Sequence, residues 1–209
     1  MILHLLVVHG MARTSLSLAP LARHLRKDGH RVTLTGYVAA LEHFDAVCRR
    51  VRSQLEDLAA ETEPYAAIGH SLGGLILRIA LGGAPLGPAP RRLIMLGTPN
   101  QPPRLAQRFR HLWPYRIVSG QAGRLLADPQ FFATLPPIPV PYTIIAGTAG
   151  SRGRWSLFGD DPNDGTVAVA ETLVVPGDHP ILVPARHTFM MNHPDVRRAV
   201  RRVLAAAAG

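Results

Sequence analysis

The sequence has little of what marks several common classes of protein. Charged residues make up only 18% of the 209 residues and hydrophobic residues make up 47%, so the chain is neither a disordered solvated segment nor a long coiled coil. Its longest apolar run, Leu5 to Val8 with its neighbours, is far shorter than the roughly 18 residues that a membrane-spanning helix needs. We therefore expect no stable membrane insertion and a single globular domain over residues 1–209.

Cysteine and lysine are almost missing. Cys48 is the only cysteine, so an internal disulfide is excluded, and its place in an apolar helical stripe predicts a small core residue. Lys27 is the only lysine, and arginine therefore carries nearly all of the positive charge behind the formal net charge of +9. The densest arginine groups, in 49–52 and 197–202, fall on the expected wet faces of helices. We interpret them as solvated surface and expect no nucleic-acid partner.

Motifs for metals, phosphates and export are also missing. There is no H-E-x-x-H, no C-x-x-C and no glycine-rich phosphate loop with its lysine, so we expect no metal and no cofactor. Asp160 and Asp161 together with Asp164 leave calcium as the remaining metal alternative. The first ten residues have no basic region and no small-residue cleavage site, so the expected location is cytoplasmic. The oligomeric state cannot be read from the sequence.

Short apolar runs alternate with helical patterns along most of the chain. Runs ending in turn residues predict strands, and apolar residues at a spacing of three and four predict helices between them. Strands separated by crossover helices form parallel sheets with helices on both faces. The sequence therefore predicts the α/β class, with a mostly parallel sheet of about six strands. The expected strands are 2–8, 31–35, 65–68, 93–96, 142–146 and 181–183, and the last expected helix runs from Pro194 to about Ala208.

The regular pattern breaks between Pro99 and Pro141. This segment is rich in proline, which prevents one continuous element, yet it carries too many apolar residues for a linker. We interpret 99–141 as a cap or insertion packed on the domain. Phe131 and Phe132 within it are candidates for an apolar pocket that binds an acyl chain, and the alternative is that they close the core.

The pentapeptide Gly69-His70-Ser71-Leu72-Gly73 matches G-x-S-x-G. A predicted strand runs into it and a predicted helix leaves it, which is the arrangement of a nucleophile elbow. The tight turn exposes the serine hydroxyl at a helix N-terminus, where developing negative charge is stabilised. The alternative is a glycine-rich turn with an incidental serine.

Several motifs together resemble the α/β-hydrolase family, in particular its small lipases and esterases. They are Val8-His9-Gly10-Met11, Gly69 to Gly74, Leu96-Gly97-Thr98-Pro99, Asn163 to Val167, and His187-Thr188 followed by Pro194-Asp195-Val196. They span nearly the whole chain. The resemblance implies the α/β-hydrolase fold in a minimal form, since the oxyanion turn already follows the first strand and no extra N-terminal hairpin precedes it.

The resemblance also implies a triad in the chain order serine, acid, histidine, which Ser71, Asp164 and His187 obey. Asp164 has rivals in Asp160, Asp161 and Asp178, but it alone precedes the Gly-x-Val pattern of the family's acid loop. His187 follows the last predicted strand. Its rivals are His179, which precedes that strand, and His193, which can cap the last helix.

The backbone amides of Met11 and Leu72 are the expected oxyanion donors, Met11 by resemblance and Leu72 as the residue after the nucleophile. His9 is expected to support the oxyanion loop, and His70 to point away from the serine. The expected function is hydrolysis of small-molecule carboxylic esters through an acyl-enzyme. The alternatives are acyl transfer on the same triad and a non-catalytic binding module. The sequence does not predict the acyl chain or the alcohol of the natural substrate.

Overall fold

A computed structural model describes residues 1–207, except for the side chains at positions 114–116 and 118. Six strands form one sheet in which every neighbouring pair is parallel, in the order β2-β1-β3-β4-β5-β6. The strands are β1 (His4–Val8), β2 (Arg31–Thr35), β3 (Tyr65–His70), β4 (Leu93–Leu96), β5 (Tyr142–Gly147) and β6 (Ile181–Val183). The helices are α1 (Ala19–Lys27), α2 (Phe44–Ala60), α3 (Leu72–Leu81), α4 (Arg104–Phe109), α5 (Trp113–Leu126), α6 (Pro129–Ala133) and α7 (Pro194–Ala207).

Strand β1 shows why the central strands read as continuous apolar runs. Leu5 and Val7 point to one face, where they join a core formed with α1 and α7. Leu6 and Val8 point to the other face and join a core formed with α2 and α3. Because helices cover both faces of the sheet, every residue of β1 is buried, whichever face its side chain points to. This arrangement confirms the predicted parallel sheet of six strands with helices on both faces.

The segment between β4 and β5 contains the short helices α4, α5 and α6. Helix α5 bends at Gly120, which has φ 55°, and a Cβ there would lie 2.5 Å from the carbonyl oxygen of Ala39. The side chain of Gln121 accepts a hydrogen bond from Phe44 N at 2.9 Å, so α5 caps the start of α2. The segment is thus packed on the domain through the loop after β2.

No helix in residues 1–207 has the length and apolar character needed to cross a membrane. The last helix agrees with its predicted start at Pro194, and Ala208, its predicted end, lies outside the described residues.

Candidate active site

Ser71 lies in a sharp turn between β3 and α3. Its backbone has φ 53° and ψ −124°, a conformation that non-glycine residues rarely adopt, and its N–H donates to Leu96 O at 2.9 Å. The turn needs glycine on both sides. A Cβ on Gly69 would lie 2.4 Å from the Gly74 backbone, and one on Gly73 would lie 2.3 Å from Val8 O. The G-x-S-x-G spacing is therefore a steric requirement of this turn.

The structure brings Ser71, His187 and Asp164 into one hydrogen-bonded chain. His187 Nε2 lies 2.9 Å from Ser71 Oγ, and His187 Nδ1 lies 2.6 Å from Asp164 Oδ2. An ionised carboxylate only accepts, so Nδ1–H donates to Asp164, which leaves Nε2 to accept from the serine hydroxyl. Only 8% of His187 and 2% of Asp164 are exposed, so the hydrogen bond between these two residues is shielded from water.

Asp164 is fixed by the loop that carries it. Its Oδ1 accepts hydrogen bonds from Thr166 N at 2.9 Å and Val167 N at 2.7 Å. The neighbouring Asn163 is fully buried and its side-chain amide donates to Ser151 O and Asp161 O, which shapes the loop from inside. These two backbone donors hold the carboxylate in place, so that its other oxygen, Oδ2, faces His187.

The rival residues lie elsewhere. Asp160 and Asp161 are exposed, and Asp161 pairs with Arg104 at 2.9 Å. Asp178 accepts a hydrogen bond from Tyr142 at 2.8 Å. Among the histidines, His179 is exposed, while His193 Nδ1 accepts from Asp195 N at 3.2 Å at the start of α7. The structure brings none of these five side chains into hydrogen-bond contact with Ser71.

Two glycines at the carboxyl ends of neighbouring strands, one directly after β4 and one as the last residue of β5, make room for the acid and the histidine. Gly97 has φ 55°, and a Cβ there would lie 3.0 Å from Asp164 Oδ2 and 3.1 Å from His187 Nδ1. A Cβ on Gly147 would lie 2.7 Å from Asp164 Cβ. The sequence pointed to Gly97 only through the L-G-T-P resemblance. Its steric role becomes visible when β4, β5 and the loop after β6 meet at the carboxyl edge of the sheet.

The loop after β1 lies beside the serine. A Cβ on Gly10 would lie 2.9 Å from Ser71 Cβ, so only glycine allows this approach. His9 is fully buried, stacks on Tyr37 with ring centroids 4.2 Å apart, and bonds to Gly10 O at 2.8 Å. Burial lowers the pKa of His9, and the neutral ring can also accept from Tyr37 N. Met11 follows on this loop, and Leu72 begins α3, whose first N–H groups have no partner within the helix.

His70 is the residue that sequence reasoning missed. It is 2% exposed, and its Nε2 lies 3.0 Å from the backbone oxygen of His187. The ring makes its hydrogen bond to the histidine loop. Burial and the nearby His187 hold the pKa of His70 well below its ordinary value. The signal in the sequence was a polar residue at the end of an otherwise apolar strand.

The aromatic pair in α6 lies in the core that covers α2 and α3. Phe132 is 8% exposed, and Phe131 packs edge-on against both Phe132 and Phe44, with ring centroids 5.4 and 5.8 Å apart. This placement supports the alternative that the pair closes the core. Its part in an acyl pocket stays a prediction.

Within the described residues, one group of side chains has metal-ligand spacing, namely His4, Glu61 and Glu63. It lies at the amino edge of the sheet, away from Ser71. Both glutamates pair there with Arg31, at 3.6 and 2.9 Å.

An open parallel sheet with a serine elbow and a buried histidine and carboxylate at its carboxyl edge defines a hydrolase-type fold. The chain matches the sequence profile of the alpha/beta hydrolase family over residues 5–209, and it belongs to that family. A search of curated protein sequences finds no match.

Solved structures with the same fold include a mature lipase from Bacillus licheniformis. It has 18% identity and a TM-score of 0.73, with 96% of this chain and 90% of the lipase covered. A methylesterase from Arabidopsis has 18% identity and a TM-score of 0.64, with coverage of 97% and 99%. An extracellular alpha/beta-hydrolase from a Paenibacillus species has 15% identity and a TM-score of 0.63, with 98% of each chain covered. At these identities the likeness concerns the fold.

Proposed function

We propose that this chain is a serine hydrolase that cleaves carboxylic esters through an acyl-enzyme. The observation that carries the proposal is the hydrogen-bonded chain from Ser71 Oγ through His187 to Asp164, with separations of 2.9 and 2.6 Å. These distances lie within the range needed for proton transfer from a nucleophile to a general base. Family membership and the names of the similar structures, a lipase and a methylesterase, add support.

In the first half of the reaction, Ser71 Oγ attacks the ester carbonyl carbon while His187 Nε2 takes the hydroxyl proton. Asp164 holds the imidazole in the required tautomer and stabilises the positive charge that it gains. The oxyanion is bound by the amides of Leu72 and Met11, at the positive end of α3. When the carbon–oxygen bond breaks, His187 returns the proton to the leaving alcohol and the acyl group remains on Ser71.

In the second half, water replaces the alcohol. His187 accepts a proton from water as its oxygen attacks the acyl carbonyl carbon, and then returns the proton to Ser71 Oγ as the acid leaves. If an alcohol or thiol attacks instead, the same residues catalyse acyl transfer. Product partition with an added acceptor separates the two reactions.

The test is a series of nitrophenyl esters of increasing acyl length, ending with a triglyceride emulsion, assayed with the wild type and with Ser71→Ala. We expect the wild type to turn over at least part of the series and Ser71→Ala to lose about 10⁴- to 10⁶-fold in rate. Alanine suits the tight turn at least as well as serine, so the folded state should persist. Activity of Ser71→Ala within tenfold of the wild type would contradict the assignment.

A further inference from the structure

The geometry points to His70 as a positioning residue, which holds the backbone of His187 so that its imidazole stays in line between Ser71 and Asp164. This inference rests on the proposed function for its catalytic meaning. Its structural part is a contact between two buried residues, His70 at the end of β3 and His187 in the loop after β6.

The contact is a hydrogen bond with a defined direction. His70 Nε2 lies 3.0 Å from the backbone oxygen of His187, and a carbonyl oxygen only accepts, so the ring must carry its hydrogen on Nε2. The other side of the same residue is also tied, because His187 N–H donates to Asp164 O at 3.0 Å. The backbone of His187 is therefore held from both sides, by β3 and by the acid loop.

The position of His70 in the chain gives this bond its importance. His70 directly precedes Ser71, so the residue that anchors the base is covalently joined to the nucleophile. Any shift of the loop after β6 relative to the elbow must break the bond from His70. A displacement of about 1 Å between reacting groups can cost a hundredfold in rate, and the bond opposes such a displacement.

The surroundings of His70 keep its ring neutral. Its centroid lies 5.0 Å from that of His187, and burial is the main cause that disfavours a second proton on it, with smaller contributions from the nearby His187 ring and Arg13; the hydrogen bond to the His187 carbonyl acts in the opposite direction but is outweighed. The loop after β1 packs against the same ring, because a Cβ on Gly10 would lie only 3.0 Å from His70 Nδ1. A neutral ring does not oppose the positive charge that His187 gains during the reaction, and it donates the same hydrogen bond throughout.

Two substitutions separate the hydrogen bond from the bulk of the side chain. His70→Gln places an amide N–H near the position of Nε2, whereas His70→Met fills similar space without a donor. We expect His70→Met to lower kcat by about 10- to 100-fold with KM nearly unchanged, and His70→Gln to recover most of the loss. His4→Met is the matched control, because His4 is buried as His70 is and lies at the other edge of the sheet, where both of its ring nitrogens are hydrogen-bonded. It should lower the melting temperature and leave kcat alone.

A second measurement does not depend on any substrate. The proton in the 2.6 Å bond between His187 Nδ1 and Asp164 should give a far-downfield NMR signal in the wild type. We expect that signal to broaden or shift in His70→Met, to return to its wild-type position in His70→Gln, and to be unchanged in the control His4→Met. If the wild type does not hydrolyse esters, the proposed function fails, but this signal still tests whether His70 positions His187. Wild-type kcat and an unchanged signal in folded His70→Met would overturn the inference, as would equal losses in His70→Gln and His70→Met.

Discussion

The carboxyl group of Asp164 has two separate sets of partners. Oδ1 is held by two backbone N–H groups, and Oδ2 faces His187. An asparagine in this place can keep its oxygen on the backbone donors and so preserve the loop. Its NH₂ group would then face His187 Nδ1 and force the hydrogen of the imidazole onto Nε2, where it cannot accept from Ser71.

We therefore expect Asp164→Asn to remain folded and to lose about 10⁴-fold in kcat. His187→Ala should match Ser71→Ala in severity, since it removes the base itself. Steady-state kinetics on a nitrophenyl ester, with circular dichroism to check the fold, measure both effects. His193→Ala is the matched control because the His193 ring accepts its hydrogen bond from Asp195 N at the start of α7. An inactive His193→Ala beside an active His187→Ala would reverse the histidine assignment.

Local signals at single residues predicted part of this arrangement. Ser71 stands in a motif whose glycines are needed because a larger residue would clash with the backbone, and Asp164 precedes a turn whose N–H groups bind its carboxylate. Both residues could therefore be recognised from their neighbours in the sequence. The role of His70 could not be predicted in this way. Its partner is the carbonyl of His187, a group that every residue has, and only the three-dimensional fold brings the two together.

At the level of elements, strands were the most predictable part. Strands β2, β4 and β6 have the expected bounds: β4 and β6 are short apolar runs, and β2 is a short alternation of polar and β-branched or apolar residues that ends at a glycine. Strand β3 runs two residues longer than expected, to His70, since Gly69 and His70 still pair with β4. The stretch between β5 and β6 has no apolar period, so the turn at Val169–Thr172 left no signal in the sequence.

Helix α6 allows a test of the two interpretations of the segment 99–141. If Phe131 and Phe132 bind the acyl chain, Phe131→Ala combined with Phe132→Ala should reduce activity on octanoyl esters more than on acetyl esters. The expected difference is up to about 0.8 kcal/mol for each methylene that loses contact. The rates on both esters and the melting temperature of the double variant are the measurements. Equal losses on the two esters, together with a lower melting temperature, would assign the pair to the core, where Phe44 and Phe132 already surround Phe131.

Across the whole molecule, the arginine groups lie on helix surfaces and are partly neutralised. Arg50 pairs with Glu42 and Arg52 with Glu56 on α2, and on α7 Arg198 pairs with Asp195. Arg201 reaches Asp28 at the end of α1. This distribution agrees with the interpretation of the positive charge as solvated surface. Exposed pairs of this kind contribute little to stability.

Buried histidines should make the stability of the whole molecule depend on pH. Burial lowers the pKa of both His9 and His70 from the ordinary value of 6.5, so each binds a proton more readily in the unfolded chain than in the folded one below about pH 6.5. The unfolded state then binds more protons, and the free energy of unfolding falls as the pH falls. A single histidine that is neutral in the folded chain contributes a slope that grows as the pH falls through 6.5, up to a limit of about 1.4 kcal/mol per pH unit.

Urea unfolding at several values between pH 7.5 and pH 5.5 measures this slope. His70→Gln removes one of the two histidines that bind a proton more readily on unfolding. The stability of this variant should therefore depend less steeply on pH than that of the wild type. Equal slopes for the two proteins would show that His70 is not kept neutral by the fold.

A fluorophosphonate probe tests most directly whether Ser71 is a nucleophile activated by His187. An activated serine displaces fluoride and forms a covalent bond to phosphorus, so intact mass spectrometry should show one added probe and peptide mapping should place it on Ser71. Ser71→Ala should take up no probe, and His187→Ala should react far more slowly. A folded wild-type protein that stays unlabelled, or that carries the probe on a residue other than Ser71, would contradict the account.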